Sequence, residues 1–190
     1  MLLLVGSKPL DLAFMLSSTG YAGKQKELTR RLVQKYLISP NDTNVALVTY
    51  DSPSTELQLN KGIQQNTVLD TLDQMVIKER GDVNQALQYL LTSVFTDKQG
   101  TRSGVAKQAI FIVDTVDFDN NVRKEIEKLK SLGIRTMFIK VGDEKDGGDV
   151  SPDFDVYFFP EDLEFFDRYV NAIVYITGQG RLLIFNFVKF

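Results

Sequence analysis

Ala109-Ile-Phe-Ile-Val113, followed at once by Asp114, is the stretch on which the fold turns. Five apolar residues without a polar alternate leave no face for water, so the segment reads as a strand buried on both sides. Strands of that kind belong to parallel sheets, whose crossover helices cover both faces. In such sheets ligands gather outside the carboxyl ends of the strands, which is where Asp114 stands.

The pattern repeats in both directions. Leu10-Asp-Leu-Ala-Phe-Met-Leu16 is an apolar strand that ends in a polar, Gly-rich turn, Ser17 to Gly23. Leu28, Leu32, Val33, Tyr36 and Leu37 then recur at helical spacing on a basic segment, and Ser39-Pro-Asn-Asp-Thr43 stops that helix. Asn44-Val-Ala-Leu-Val-Thr-Tyr50 is a second strand. Asp51 to Ser54 turns it into the alternating Thr55–Leu59, a hairpin with a half-exposed edge. Two helices follow, one carrying Val68, Leu69, Leu72, Met75 and Val76. The other carries Val83, Ala86, Leu87, Leu90, Leu91 and Val94, with Asp82 placed as its N-cap.

Beyond the buried strand, Val122, Ile126, Leu129 and Leu132 mark a helix that leads through Gly133 to a strand, Ile134 to Val141. Asp155–Phe159 is a short last strand. Leu163, Phe166, Tyr169, Val170, Ile173 and Val174 line a closing helix. The expected fold is α/β: a doubly wound, mostly parallel sheet with one antiparallel edge strand and helices on both faces. Its site loops are 17–23, 79–82 and 114–121.

Residues 9–177 carry this pattern. Segments 1–8 and 178–190 lie outside it; their apolar stretches, Met1–Val5 and Leu182–Phe190, suit either pairing at a sheet edge or, the favoured reading, an N-terminal boundary and a C-terminal tail left by a cut from a longer chain. Met1–Val5 has no basic leader and is too short for a signal peptide, and no apolar run reaches membrane-span length.

Composition removes whole classes of chemistry. The 190 residues include no cysteine and no histidine. Disulfides, thiolate zinc sites, cysteine nucleophiles, Ser-His-Asp triads and the H-E-x-x-H zinc helix are therefore excluded. Lys plus Arg number 22 against 25 Asp plus Glu, a net charge of −3, which speaks against a nucleic-acid partner.

Taken in order, these stretches resemble a von Willebrand factor A domain. The resemblance rests on Asp11–Gly23, Asn44–Tyr50 with Thr55–Asn60, Asp82–Leu91, Ala109–Asp114 and Leu132–Gly142. The Arg31–Asn60 stretch is most similar to the matrix versions, of the collagen VI and matrilin type. The family's signature is a metal-ion-dependent adhesion site, with a D-x-S-x-S loop after the first strand, a second-loop threonine and an aspartate after the buried strand. Hydroxyl and carboxylate oxygens there hold Mg²⁺ and leave one position for a partner's carboxylate.

Carried onto this chain, the resemblance implies a degenerate site of Ser17, Thr19 and Asp114. Ser17 stands for the loop aspartate, Thr19 for the first serine and Tyr21 for the second serine, and the threonine falls near Gly81. Only Asp114 is unchanged, so weak Mg²⁺ at most, or no cofactor, is expected. The implied role is a secreted, extracellular adhesion module that is not an enzyme and binds another protein, such as collagen or another matrix component. Tyr21, Arg80, Gly81 and Asp82 are the candidate partner contacts.

Other signals compete with these. Arg80-Gly81-Asp82 spells the tripeptide that integrins read, but a turn with Asp82 as a helix cap is the favoured account of it. Gly23-Lys24 hints at a nucleotide-hydrolysing P-loop, but Ser18 replaces its first glycine and Gln25 its Mg²⁺-binding hydroxyl. An intracellular A-domain scaffold is the remaining alternative function. Lys24, Lys26, Arg30, Arg31 and Lys35 suit a solvated helix face or an anionic polysaccharide partner. The acidic loop 142–155 lacks calcium-loop spacing. Asn41-Asp42-Thr43 is an N-glycosylation sequon.

Overall fold

The computed structural model describes residues 8–17, 20–50, 52–77, 81–113, 118–141, 156–159, 170, 173 and 174. Within them β1 (Leu10–Leu16), α1 (Ala22–Val33), β2 (Thr43–Thr49), β3 (Ser54–Leu57), α2 (Gln65–Gln74) and α3 (Val83–Tyr89) come first. A π-helical turn, Leu90–Val94, extends α3. Then follow β4 (Ala106–Val113), α4 (Asn120–Ser131), β5 (Ile134–Val141) and β6 (Val156–Phe159). The strands form one sheet in the order β3-β2-β1-β4-β5-β6. Every neighbouring pair is parallel except β2 with β3, as the sequence predicts.

Side-chain alternation along β1 and β4 divides the core into two layers. Leu12, Phe14, Ile110 and Ile112 face α1 and α2, where Leu28, Leu32, Val68 and Leu72 cover them. Val170 and Ile173, two of the residues expected to line the closing helix, are helical and buried in the same layer. Ala13, Met15, Phe111 and Val113 face α3 and α4. Phe111 stacks on Phe138 at 4.7 Å between ring centroids, and Tyr50 and Phe118 meet this pair edge-on. Ile110 to Val113 are fully enclosed because β4 lies between β1 and β5 with a helical layer on each side.

Local chemistry sets the helix ends. Asp82 caps α3, its Oδ1 accepting from the N–H groups of Asn84 (2.8 Å) and Gln85 (3.3 Å). Asp119 caps α4 in the same way, accepting from Asn121 and Val122 at 2.8 Å each. Gly133, at φ 76°, lets the chain leave α4 and enter β5. The heptad-like run from Val83 to Val94 departs from one α-helix at its end. Phe95 N–H bonds to the Leu90 carbonyl five residues back (2.8 Å), so the last turn is π-helical while Leu90 and Val94 stay buried.

Two polar contacts tie distant segments. Asp11 is fully buried at the start of the central strand, and Arg102 answers both its oxygens. The Arg102 N–H donates to Oδ2 and Nε to Oδ1, each at 2.7 Å. Its Nη atoms donate to the carbonyls of Pro40 (2.9 Å), Leu10 (2.8 Å) and Asp42 (2.9 Å). On the surface, Arg30 of α1 grips the Asp73 carboxylate of α2 (2.5 Å), and Lys26 donates to the Asp73 carbonyl at 3.0 Å. Arg31 pairs with Glu27 at 2.8 Å. Three members of the basic run are thus engaged within the domain, which favours the solvated-face reading over an anionic partner. Among the described residues no helix is long and apolar enough to cross a membrane.

Arg102→Ala leaves a buried carboxylate without its counter-charge and should cost about 3–5 kcal/mol in urea unfolding. Arg102→Lys recovers only part of this, because an ammonium cannot reproduce the planar fork. The surface pair makes a different prediction. The Arg30 guanidinium holds the Asp73 carboxyl below its ordinary value. Its contribution is therefore present above the unfolded-state pKa and lost as pH falls through the lowered folded value. The melting-temperature gap between the parent and Asp73→Asn should be open at neutral pH, close on acidification, and shrink in high salt.

Candidate functional site

The carboxyl ends of β1 and β2 and the approach to α3 converge at one end of the sheet, where the topology changes direction between β1 and β4. Ser17 follows β1 directly and is 2 % exposed. Gly81 comes 64 residues later, yet its N–H donates to the Ser17 hydroxyl oxygen at 2.5 Å. Gly81 owes that position to its missing side chain: a Cβ there would run into the Tyr50 carbonyl and the Tyr50 ring. Tyr50 is itself held by its N–H to the Leu16 carbonyl (3.2 Å). The two loops thus meet directly, backbone to hydroxyl, over the end of β2.

A second tie comes from below. Gln25 of α1 is fully buried, and its Nε2 donates to the Ser17 carbonyl at 2.8 Å. Its backbone carbonyl accepts from Thr29 Oγ1 (2.8 Å), and its N–H reaches the Tyr21 carbonyl (2.9 Å). A glutamine in the first turn of a basic helix gives no hint of this in the sequence. The only signal is its position on the apolar stripe, three residues before Leu28. The P-loop comparison placed a metal-binding hydroxyl at this position, whereas the residue serves to hold the β1 loop.

The remaining candidates fall into two groups. Tyr21 is half-buried against the α1–α2 layer, with the Lys24 ammonium 5.2 Å from its ring centroid. Asp82 is exposed and spends Oδ1 on the α3 cap. Thr19, Arg80 and Asp114 lie outside the described residues, as do segments 1–7, 142–155 and 175–190. The structure therefore brings Ser17 and Gly81 together, places Tyr21 on the α1 approach shortly after Ser17, and leaves Asp82 at the entrance to α3.

The family signature is a divalent-cation site, and of the positions that stand for its ligands the structure describes Ser17, Tyr21 and Gly81, none of which brings a carboxylate. A hard cation takes several oxygen ligands with carboxylates prominent among them. Ser17 contributes a hydroxyl already accepting from Gly81, and Gly81 contributes no side chain. The described carboxylates of these loops, Asp82 and Asp119, both cap helices. Among the described residues no three acidic, histidine or cysteine side chains stand close enough to share a metal.

Known proteins agree on the frame. Matrilin-1 of Gallus gallus is 28% identical over 140 residues, covering 70% of this chain and 28% of that protein. The collagen alpha-5(VI) chain of Homo sapiens is 28% identical over 116 residues, covering 58% of this chain and 4% of that one. This chain thus spans under a third of the length of these relatives. Among solved structures, proximal thread matrix protein 1 from the mussel byssus superposes with a TM-score of 0.71 at 13% identity, over 88% of this chain and 48% of that one. A profile of the von Willebrand factor type A domain matches residues 16–151, well over half the sequence, and the chain belongs to that family.

Proposed function

We propose that the chain is a non-enzymatic protein-interaction module of an extracellular matrix or cell-adhesion protein, which binds its partner without a divalent metal. The family membership and the matrix relatives support the role. The absence of histidine and cysteine from the sequence fits it. The binding surface is the end of the sheet where Tyr21, Gly81 and Asp82 lie, together with Arg80 next to them in sequence. The partner is another protein, with collagen or another matrix component as the first candidates to test.

The observation that carries metal independence is the Gly81 N–H to Ser17 Oγ bond. In the family pattern these two positions are metal ligands, and a cation between them would join the loops. Here the Gly81 N–H meets the Ser17 hydroxyl directly, which supports a junction that needs no ion. An ion held by Thr19 and Asp114 alone would keep most of its water shell and leave readily.

Calorimetric titration with Mg²⁺ and Mn²⁺ tests this on the parent and on Asp114→Ala. The expected result is no saturable binding at micromolar concentration in either protein, and partner capture that persists in chelator. Micromolar binding that disappears in Asp114→Ala would restore a metal-dependent mechanism. The Asp82 carboxylate gives a separate test. Asp82→Ala should cost about 1 kcal/mol through the lost cap. Cell attachment to the domain should be unchanged at a temperature where both proteins are folded. Loss of attachment at equal folded fraction would instead assign the Arg80-Gly81-Asp82 tripeptide to an integrin.

A further inference from the structure

We propose that Asn41 is the acceptor of an N-linked glycan, and that this sugar marks the end of the domain turned away from its binding loops. The inference rests on the extracellular reading above. Asn41-Asp42-Thr43 has the required Asn, a non-proline middle residue and Thr, and the sequence holds no other such triplet. A tripeptide alone carries little weight; its placement carries more. Asn41 is exposed on the turn between α1 and β2. Its backbone N–H bonds to Ser39 Oγ at 3.2 Å, and its side-chain amide has no hydrogen-bond partner among the described residues. An oligosaccharide attached there meets solvent.

The turn lies just before β2 and so at the amino ends of the parallel strands. Ser17 and Gly81 lie at the carboxyl ends. A large hydrophilic group on Asn41 therefore shields the lower end and leaves the candidate binding loops open. Glycosylation and partner binding occupy opposite poles of one sheet.

The other residues of the triplet fix the order of events. The Asp42 carbonyl accepts from Leu10 N–H (3.0 Å) and from Arg102 (2.9 Å), while its Oδ2 accepts from Ser39 Oγ at 2.6 Å. Thr43 is 2 % exposed, and its N–H is held by the Leu37 carbonyl at 3.1 Å. Once β2 has paired with β1, an enzyme cannot reach the Thr43 hydroxyl or spread the triplet. Transfer must precede that pairing. In the step itself the Asn41 side-chain nitrogen bonds to the anomeric carbon of an oligosaccharide carried on a lipid pyrophosphate. The sugar–phosphate C–O bond breaks, the lipid pyrophosphate leaves with the electron pair, and the amide gives up one proton.

The test uses the full chain behind a secretory leader in eukaryotic cells, with intact mass and peptide N-glycosidase digestion as readouts. The secreted parent should carry one glycan, retained in Thr43→Ser and absent from Asn41→Gln and Thr43→Val. Thr43→Val keeps the buried volume, so its loss of sugar cannot be ascribed to unfolding when its circular dichroism matches the parent. For the timing, folded unglycosylated protein from bacteria should resist purified oligosaccharyltransferase and its lipid-linked donor, while a peptide spanning 36–48 is modified. A secreted, folded parent without sugar overturns the acceptor assignment alone. Native protein found unglycosylated in the cytosol overturns both this assignment and the extracellular reading. Modification of the folded domain at parent stability would overturn the proposed order.

Discussion

The Asp11 carboxylate, withdrawn from water at the entrance to the central strand, must have both oxygens answered, and Arg102 answers them from 91 residues away. Antiparallel strands acquire their register from a tight turn; parallel strands have no such local device. Here a polar clamp supplies it. The guanidinium fork also reaches the carbonyls of Leu10, Pro40 and Asp42, so one side chain fixes the start of β1, the approach to β2 and the loop leading into β4. A lysine offers no planar fork and would leave part of that array unmet. The charge pair is less a source of net stability than a penalty for every arrangement in which the partners are apart.

With the amino ends fixed in this way, the carboxyl ends are positioned by packing. Phe111 at the centre of β4 stacks on Phe138 of β5 and meets Tyr50 beyond β2 edge-on. Tyr50 in turn sets the wall against which Gly81 lies. The core is therefore continuous with the candidate site: an aromatic layer inside the sheet ends in the residue that decides how closely the second loop approaches the first. Interiors packed to this density transmit displacements, so enlarging a side chain in the layer would be felt at Gly81 as well as locally.

Much of this was legible in the sequence, and the parts that were not share a physical cause. The unbroken apolar run at Ala109–Val113 and the helical stripes specified a parallel sheet covered on both faces, because burial alone dictates those patterns. Asp82 as an N-cap was equally readable, since capping is local. Asp119 does the same work at α4 and could have been found by the same rule. The π turn after Tyr89 could not, because the apolar spacing fits an α-helix and only tertiary packing shifts it. Asp11 advertised itself as a carboxylate in an apolar strand, yet nothing in the sequence names Arg102 as its partner. The Ser17–Gly81 contact was invisible for the same reason, since it joins segments whose proximity exists only after the sheet has formed, whereas Gln25 showed only as a polar residue on the apolar stripe of α1. At the site the residue types were evident from the family resemblance, whereas the manner in which they meet was not.

The replacements at the site are coherent with one another. An aspartate at position 17 would bring a charge that calls for a cation, whereas Ser17 brings a neutral oxygen that accepts a backbone N–H. A threonine at position 81 would hold the second loop away from Tyr50, whereas Gly81 lets that loop close onto Ser17. Gln25 then holds the Ser17 carbonyl from the buried side. Measured against the family signature, Ser17 and Gly81 each replace a ligand type, and each also supplies one half of a direct contact between the loops. Random loss of ligands would leave unpaired oxygens facing one another with no reason for the loops to stay together. What is found instead is a closed hydrogen-bonded junction.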